Sequence, residues 1–276
     1  MIALIRDRND NAIHKNFKGD EKKKLERKLL QNQRKIKRGE IEKHDFNSDK
    51  WKAAKEQLKK EAHDKCAYCE APTSVVAYGD VEHFRPKSKY WWLAYSYENY
   101  LPSCQLCNQK YKKAKFPIKN NKIKGPCISK NTTDAFIESK AGKIAANPLA
   151  NVEVNAFEQL HMQERPYLLN PYVDNPEKYY AWRADDNIGE VELVALATNP
   201  SSNKFVDEAI KNYGLNRHEL KKLRYNEYFK LKIFKDSLKE TNISNSLRNR
   251  ILDAITKMKA DDAPFAGMIR YFDSIL

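Results

Sequence analysis

Four cysteines in two C-x-x-C pairs, Cys66 with Cys69 and Cys104 with Cys107, have the types and spacing that most directly specify chemistry. Two intervening residues let both thiolates of a pair point at one ion, and two such pairs complete a tetrahedral shell of sulfurs. Four soft thiolates leave no open position, which favours a structural zinc over a catalytic one. The pairs are separated by 34 residues, so the metal would tie together the ends of a sizeable insert. Cys127 stands apart and reads as a small buried apolar residue.

The insert contains Asp80-Val-Glu-His-Phe-Arg-Pro-Lys-Ser88, and Asn108 directly follows the second pair. Phosphodiester hydrolysis needs a base for water, a divalent cation for the developing charge, and basic groups that hold the phosphate. His83 can serve as the base, since an imidazole with a pKa of about 6.5 is largely neutral at pH 7. Glu82 and Asn108 offer hard oxygens for Mg²⁺, which keeps several of its waters. Arg85, Lys87, Lys110, Lys112, Lys113 and Lys115 are candidates for holding the phosphate backbone. Singly, each of these residues has a commonplace structural alternative. Bracketing by the two cysteine pairs is what makes them a set.

The elements that must position this set can be read coarsely. Residues 15–45 are dominated by Lys, Glu and Arg, and Leu25, Leu29, Leu30 and Ile36 form only a thin apolar stripe, as in an exposed or weakly packed basic helix. A firmer helix is expected over 50–63, with Trp51, Ala54, Leu58 and Ala62 on one face and Ser48 or Asp49 as its cap. Short β-type runs fall at 73–76 and 79–84, and a helix starts near Gln105 and runs until Pro117 stops it. Residues 118–165 carry no clear periodicity. Residues 180–195 read as a β-hairpin around Asn187-Ile188-Gly189, and helices follow from Asn203, broken at Gly214-Leu215-Asn216, then over 217–239 and 244–259. Tyr179, Tyr180 and Trp182 read as core residues.

The chain has 276 residues, 51 Lys+Arg against 37 Asp+Glu, and a formal net charge of +14. That excess suits a polyanionic partner, with plain solubility as the alternative. There is no apolar run of bilayer-spanning length and no signal-peptide pattern, so no membrane association and a cytoplasmic location are expected. In that setting C-x-x-C pairs indicate metal rather than disulfides.

The motif VEHFRPKS followed by YENYLPSCQLCN resembles the two strands and helix start of the HNH, or ββα-metal, nuclease family. The resemblance covers residues 60–117. It implies an α+β fold with a ββα-metal core and a four-cysteine zinc site, flanked by an N-terminal basic helix and a mainly helical C-terminal region. It makes His83 the general base, Glu82 and Asn108 the holders of the catalytic Mg²⁺, and Asn99 a scaffold residue that orients His83. Glu82 stands where Asp is usual in that family. A wider run of motifs, CAYCE, EHFRPKS, CNQKYKKAKFP, LLNPYVDNPE and GLNRHEL, is similar to HNH proteins of bacterial Septu and retron-associated antiphage systems. It implies a nucleic-acid substrate and a partner ATPase of the ABC or SMC type. The expected division is a basic helical segment at 1–49, the nuclease core at 50–130 and a partner-binding region at 131–276. The competing reading is a non-catalytic zinc module that binds nucleic acid or protein.

Overall fold

In the computed structural model, which describes residues 1–73 and 79–276, helix α1 (Gly19–Arg38) has acidic residues in its first turn, basic ones in its last, and a left-handed Gly39 as C-cap. Each of these favours the helix dipole or satisfies its end. Leu25, Leu29 and Leu30 are all buried, and Lys22 and Glu26 between them form a buried ion pair at 2.8 Å. The stripe packs on Ala94 and Tyr95 on one side and on Ile128, Ile137 and Ala141 on the other. The basic helix is therefore seated in the body of the protein rather than weakly attached. A stripe of three leucines suffices because two separate clusters divide it.

The helix expected over 50–63 is two, α2 (Ser48–Lys52) and α3 (Lys55–Glu61), and the N-cap is Asn47, whose side chain accepts from the amide of Asp49 at 2.9 Å. Of the two β-type runs, the first falls on residues 74–76, outside the described residues, apart from Thr73. The second is β1 (Asp80–His83), paired antiparallel with β2 (Tyr100–Ser103), Glu82 opposite Leu101 and His83 opposite Tyr100. The helix expected from Gln105 to Pro117 is a π-helix over Leu106–Lys112. It ends at Lys113, which has a positive φ of 52° and donates its amide to the Asn108 carbonyl at 2.8 Å. Such i→i+5 turns are rare and cluster at functional sites.

Residues 118–165, unreadable by period, contain α4 (Asp134–Lys140) and α5 (Asn151–Glu164). The buried positions of α5 are Val154, Phe157, His161 and Glu164, so half its inner face is polar and no hydrophobic rhythm results. The second hairpin is β3 (Tyr180–Asp185) with β4 (Glu190–Ala195), and Tyr180 and Trp182 are buried. Helices α6 (Ser202–Tyr213), α7 (His218–Lys239), α8 (Asn245–Met258) and α9 (Ala266–Asp273) follow. The fold is thus α+β, with two small antiparallel sheets among the described residues. One continuous core joins Leu4, Cys66, Phe84, Phe157, Trp182, Leu231 and Phe272, drawing on the N-terminal, central and C-terminal segments alike. No helix among the described residues is long and apolar enough to cross a membrane.

One buried ion pair fastens the centre of the chain to α5. Arg85 and Glu164 have no exposed side-chain surface and meet at 2.8 Å, and Tyr90 also donates to Glu164. Truncating one partner of a buried pair strands the other charge. Glu164→Ala should therefore lower unfolding stability by about 3–5 kcal/mol, measured by urea denaturation. A loss of under about 1 kcal/mol would mean that water reaches Arg85.

Candidate active site and metal centre

The four cysteines converge. Their sulfurs lie within 4.8 Å of one another, and this is the one such group of His, Cys, Asp or Glu found among the described residues. Each knuckle is shaped by its backbone. Cys66 accepts at its carbonyl from the amide of Glu70 at 2.9 Å, Ala67 donates to Pro102 on β2 at 2.9 Å, and Cys107 turns its amide to the sulfur of Cys104 at 3.5 Å. Burial pushes the Cys66 thiol up, while a hydrogen bond with Cys104 pulls Cys69 well down. A soft, closed set of four thiolates fits a structural zinc. Cys127 lies outside this cluster and is exposed, not buried as expected, because the 124–127 stretch runs along the surface.

Beside the centre is a cleft of about 710 Å³ lined by Trp51, Glu82, His83, Lys87, Trp91 and Asn108, among others. β1 puts Glu82 and His83 there side by side, both buried. The His83 Nε2 lies 2.9 Å from the carbonyl of Ala94, which can only accept, so Nε2 carries the proton and Nδ1 keeps the lone pair. Trp51 and Tyr100 hold the ring edge-to-face at 5.0 Å and 5.1 Å, and the Tyr100 hydroxyl donates to the same Ala94 carbonyl at 2.8 Å. Asn99 accepts from the amide of Arg85 at 2.8 Å and donates to its carbonyl at 3.0 Å and to the Leu93 carbonyl at 3.3 Å. It thereby pins the loop that begins just after His83.

Glu82 is ion-paired with Lys112, which also donates to the His83 carbonyl at 3.0 Å. Burial raises the Glu82 pKa, and the ammonium of Lys112 opposes that rise. Asn108 also lines the cleft, and its side-chain nitrogen donates to Asp80 at 3.3 Å, while Gln109 donates to the same Asp80 oxygen at 2.7 Å. The amide oxygen of Asn108 is thereby turned away from Asp80.

Two expected phosphate contacts are elsewhere. Arg85 is fully buried against Glu164, and Lys112 is fully buried against Glu82; each completes an inner ion pair that would be costly to open. Lys110, Lys113 and Lys115 are exposed on the outer side of the π-helix and the turn after it. Lys87 is half-buried, over the Trp51 ring at 5.1 Å. Asp80, Trp51 and the Ala94 carbonyl were missed. Asp80 is two residues before Glu82, on the same strand face, and that alternation was the available signal. Nothing local marks Trp51 or Ala94 as neighbours of His83.

These features define an α+β protein with a four-cysteine cluster able to hold a metal ion, beside a cleft that holds a glutamate, a histidine and an asparagine. Its sequence is similar to that of Septu protein PtuB. To PtuB of Bacillus mycoides (strain KBAB4) it is 30% identical over 218 residues, 73% of this chain and 58% of that protein. To PtuB of Bacillus thuringiensis it is 39% identical over 69 residues, 24% of this chain and 27% of that one. The matched stretch spans less than two thirds of the length of either relative. No family model matches it, and no solved structure gives a significant match.

Burial, with Lys87 next, drives the His83 pKa down to about 3, so its titration should not appear near the ordinary 6.5. The unfolded chain binds this proton first as pH falls, so stability should drop as pH is lowered from about 6.5 towards 3. Long-range ¹H–¹⁵N spectra recorded from pH 8 to 5 should show one unchanging neutral imidazole at His83, protonated at Nε2. A midpoint above 6 would mean that the ring is solvated.

Proposed function

We propose that this chain is a metal-dependent HNH endonuclease that hydrolyses phosphodiester bonds of nucleic acid. The supporting observation is that Glu82, His83 and Asn108, from β1 and the π-helix, line one cleft. His83 accepts a proton from water at Nδ1, and Ala94, Trp51 and Tyr100 fix the ring for that transfer. Its low basicity in the free protein rises once an anionic phosphate enters, since a nearby negative charge favours imidazolium. Lys87 and Lys113 at the cleft, with Lys110 and Lys115 beyond it, hold the phosphate backbone.

Glu82 and Asn108 fit a hard cation by donor type. One carboxylate oxygen of Glu82 is held by Lys112, which leaves the other, together with the Asn108 amide oxygen, as donors. When bound there, Mg²⁺ supplies charge stabilisation to the scissile phosphate and the leaving oxygen.

By its likeness to Septu protein PtuB we place the chain as the effector of a bacterial antiphage system, acting in the cytoplasm with an ABC- or SMC-like ATPase. The region 131–276 is the part that meets this partner. It carries exposed apolar side chains at Leu223, Phe229 and Ile233 on α7. The engagement of Glu82 by Lys112 and the backbone hydrogen bond of His83 favour a second reading, a zinc module without catalysis.

Cleavage of mixed nucleic acids with Mg²⁺, assayed with the partner ATPase present, separates the two readings. His83→Ala should reduce the rate by about 10²–10⁴ and leave the fold and zinc content intact. Asn108→Ala should be comparably slow but partly restored by raised Mg²⁺, which should not restore His83→Ala. Wild-type activity in His83→Ala, or none in the wild type with its partner, would defeat the catalytic reading.

Neutralising Lys110 and Lys113 together should weaken binding across sequences and lower the slope of log affinity against log salt by about 1–2. An unchanged slope would leave these lysines as solvated surface only.

A further inference from the structure

The turn between α6 and α7, Gly214-Leu215-Asn216-Arg217, belongs to the GLNRHEL motif, for which the nuclease reading has no use. It is pressed onto both cysteine knuckles. Gly214 has a φ of +64°, and a Cβ there would fall 2.6 Å from the ring of Tyr111, which is on the π-helix just beyond Cys107. Tyr213, one residue earlier, stacks at 3.8 Å on Tyr68, one of the two residues between Cys66 and Cys69. Asn216 accepts from the amide of Leu193 at 2.8 Å and donates to its carbonyl at 3.0 Å, which fastens the turn to β4.

Between these clamps the guanidinium of Arg217 spans the two cysteine pairs. Its Nη1 lies 3.7 Å from the sulfur of Cys107 and its Nη2 lies 3.8 Å from the sulfur of Cys69. The same Nη1 donates to the Gly214 carbonyl at 3.1 Å, which fixes the plane of the fork. Arg224, on the second turn of α7, is fully buried and donates to Leu215 at 2.6 Å, so a second cation lies behind the first.

A divalent ion held by four thiolates carries a net charge of two minus, and burying it without a counter-charge is costly. We propose that Arg217 is the outer-shell residue of this metal centre. It donates an N–H···S hydrogen bond to one thiolate of each pair and neutralises part of the charge of the loaded site. Retention of the metal is then a property of the C-terminal half as well as of the insert that supplies the cysteines. The proposal rests on the reading that the four cysteines hold zinc.

The test uses the full chain, as wild type, Arg217→Met, Arg217→Lys and a control at exposed Arg183, Arg183→Met. Each is loaded with Co²⁺ as a spectroscopic stand-in, and zinc-loaded samples are challenged with excess chelator. A hydrogen bond lowers the energy of the sulfur lone pair. Arg217→Met should therefore move the sulfur-to-cobalt charge-transfer band to longer wavelength and weaken zinc affinity about 10–100-fold. Arg217→Lys keeps the charge and the stem but cannot bridge two sulfurs, so its band shift and zinc loss should be intermediate. The control should match the wild type. Should Arg217→Met fail to fold, the lysine variant alone decides. A folded Arg217 variant with an unmoved cobalt band and wild-type zinc release would overturn the proposal and leave Arg217 as packing. Failure of the wild type to take up either metal would instead defeat the zinc reading beneath it.

Discussion

Convergence of four cysteine sulfurs is the constraint from which the rest of the molecule takes its positions. One pair precedes β1 and the other follows β2, so bringing them together closes the long excursion between them. Closing a loop of that length costs conformational entropy on folding, and an ion held by the four sulfurs would supply what the short hairpin alone lacks. Two strands of four residues each would be marginal by themselves. Leaned against the cysteine knuckle through Ala67 and Pro102, they become a fixed frame for Glu82 and His83.

Inner charge pairs form a second tier. Lys112 on Glu82, Arg85 on Glu164 and Arg6 on Glu61 are all buried, and each joins segments distant in the chain. Such pairs add little net stability compared with apolar packing, but they are intolerant of misplacement. They bind the cleft, α5 and the N-terminal segment around Arg6 into one arrangement. Asn99 extends the same logic to the backbone by occupying both polar groups of Arg85.

What was legible in the sequence follows from how local each signal is. The cysteine spacing is covalent and short, so convergence could be read from it. The β3–β4 hairpin lay where alternation and the Asn-Ile-Gly turn placed it, and Gly214 ended α6 as a left-handed cap must. Lys112 was not legible. It belongs to a run of lysines that look alike, and only its meeting with Glu82, across the fold, sets it apart. Arg85 was hidden in the same way by its distant partner Glu164. α5 escaped because polar groups occupy half of its buried positions. The Arg217 contact could not be anticipated either, since sulfur ligands and guanidinium are separated by more than a hundred residues.

The π-helix after Cys104 holds a spare residue in that stretch of chain. Each of its hydrogen-bonded rings encloses one residue more than an α turn does. An α turn advances further around the axis with each residue, so loss of a single residue between Cys107 and Lys112 would let the backbone settle into the commoner register with the ammonium that meets Glu82 still on the same side of the helix. Loss of two would carry it around the axis and away. Side-chain exchange at exposed Leu106 or Lys110 leaves the phase intact. Among descendants of this chain, drift in composition here is compatible with the arrangement, and drift in spacing is compatible only up to the one residue that the wide turn holds in reserve.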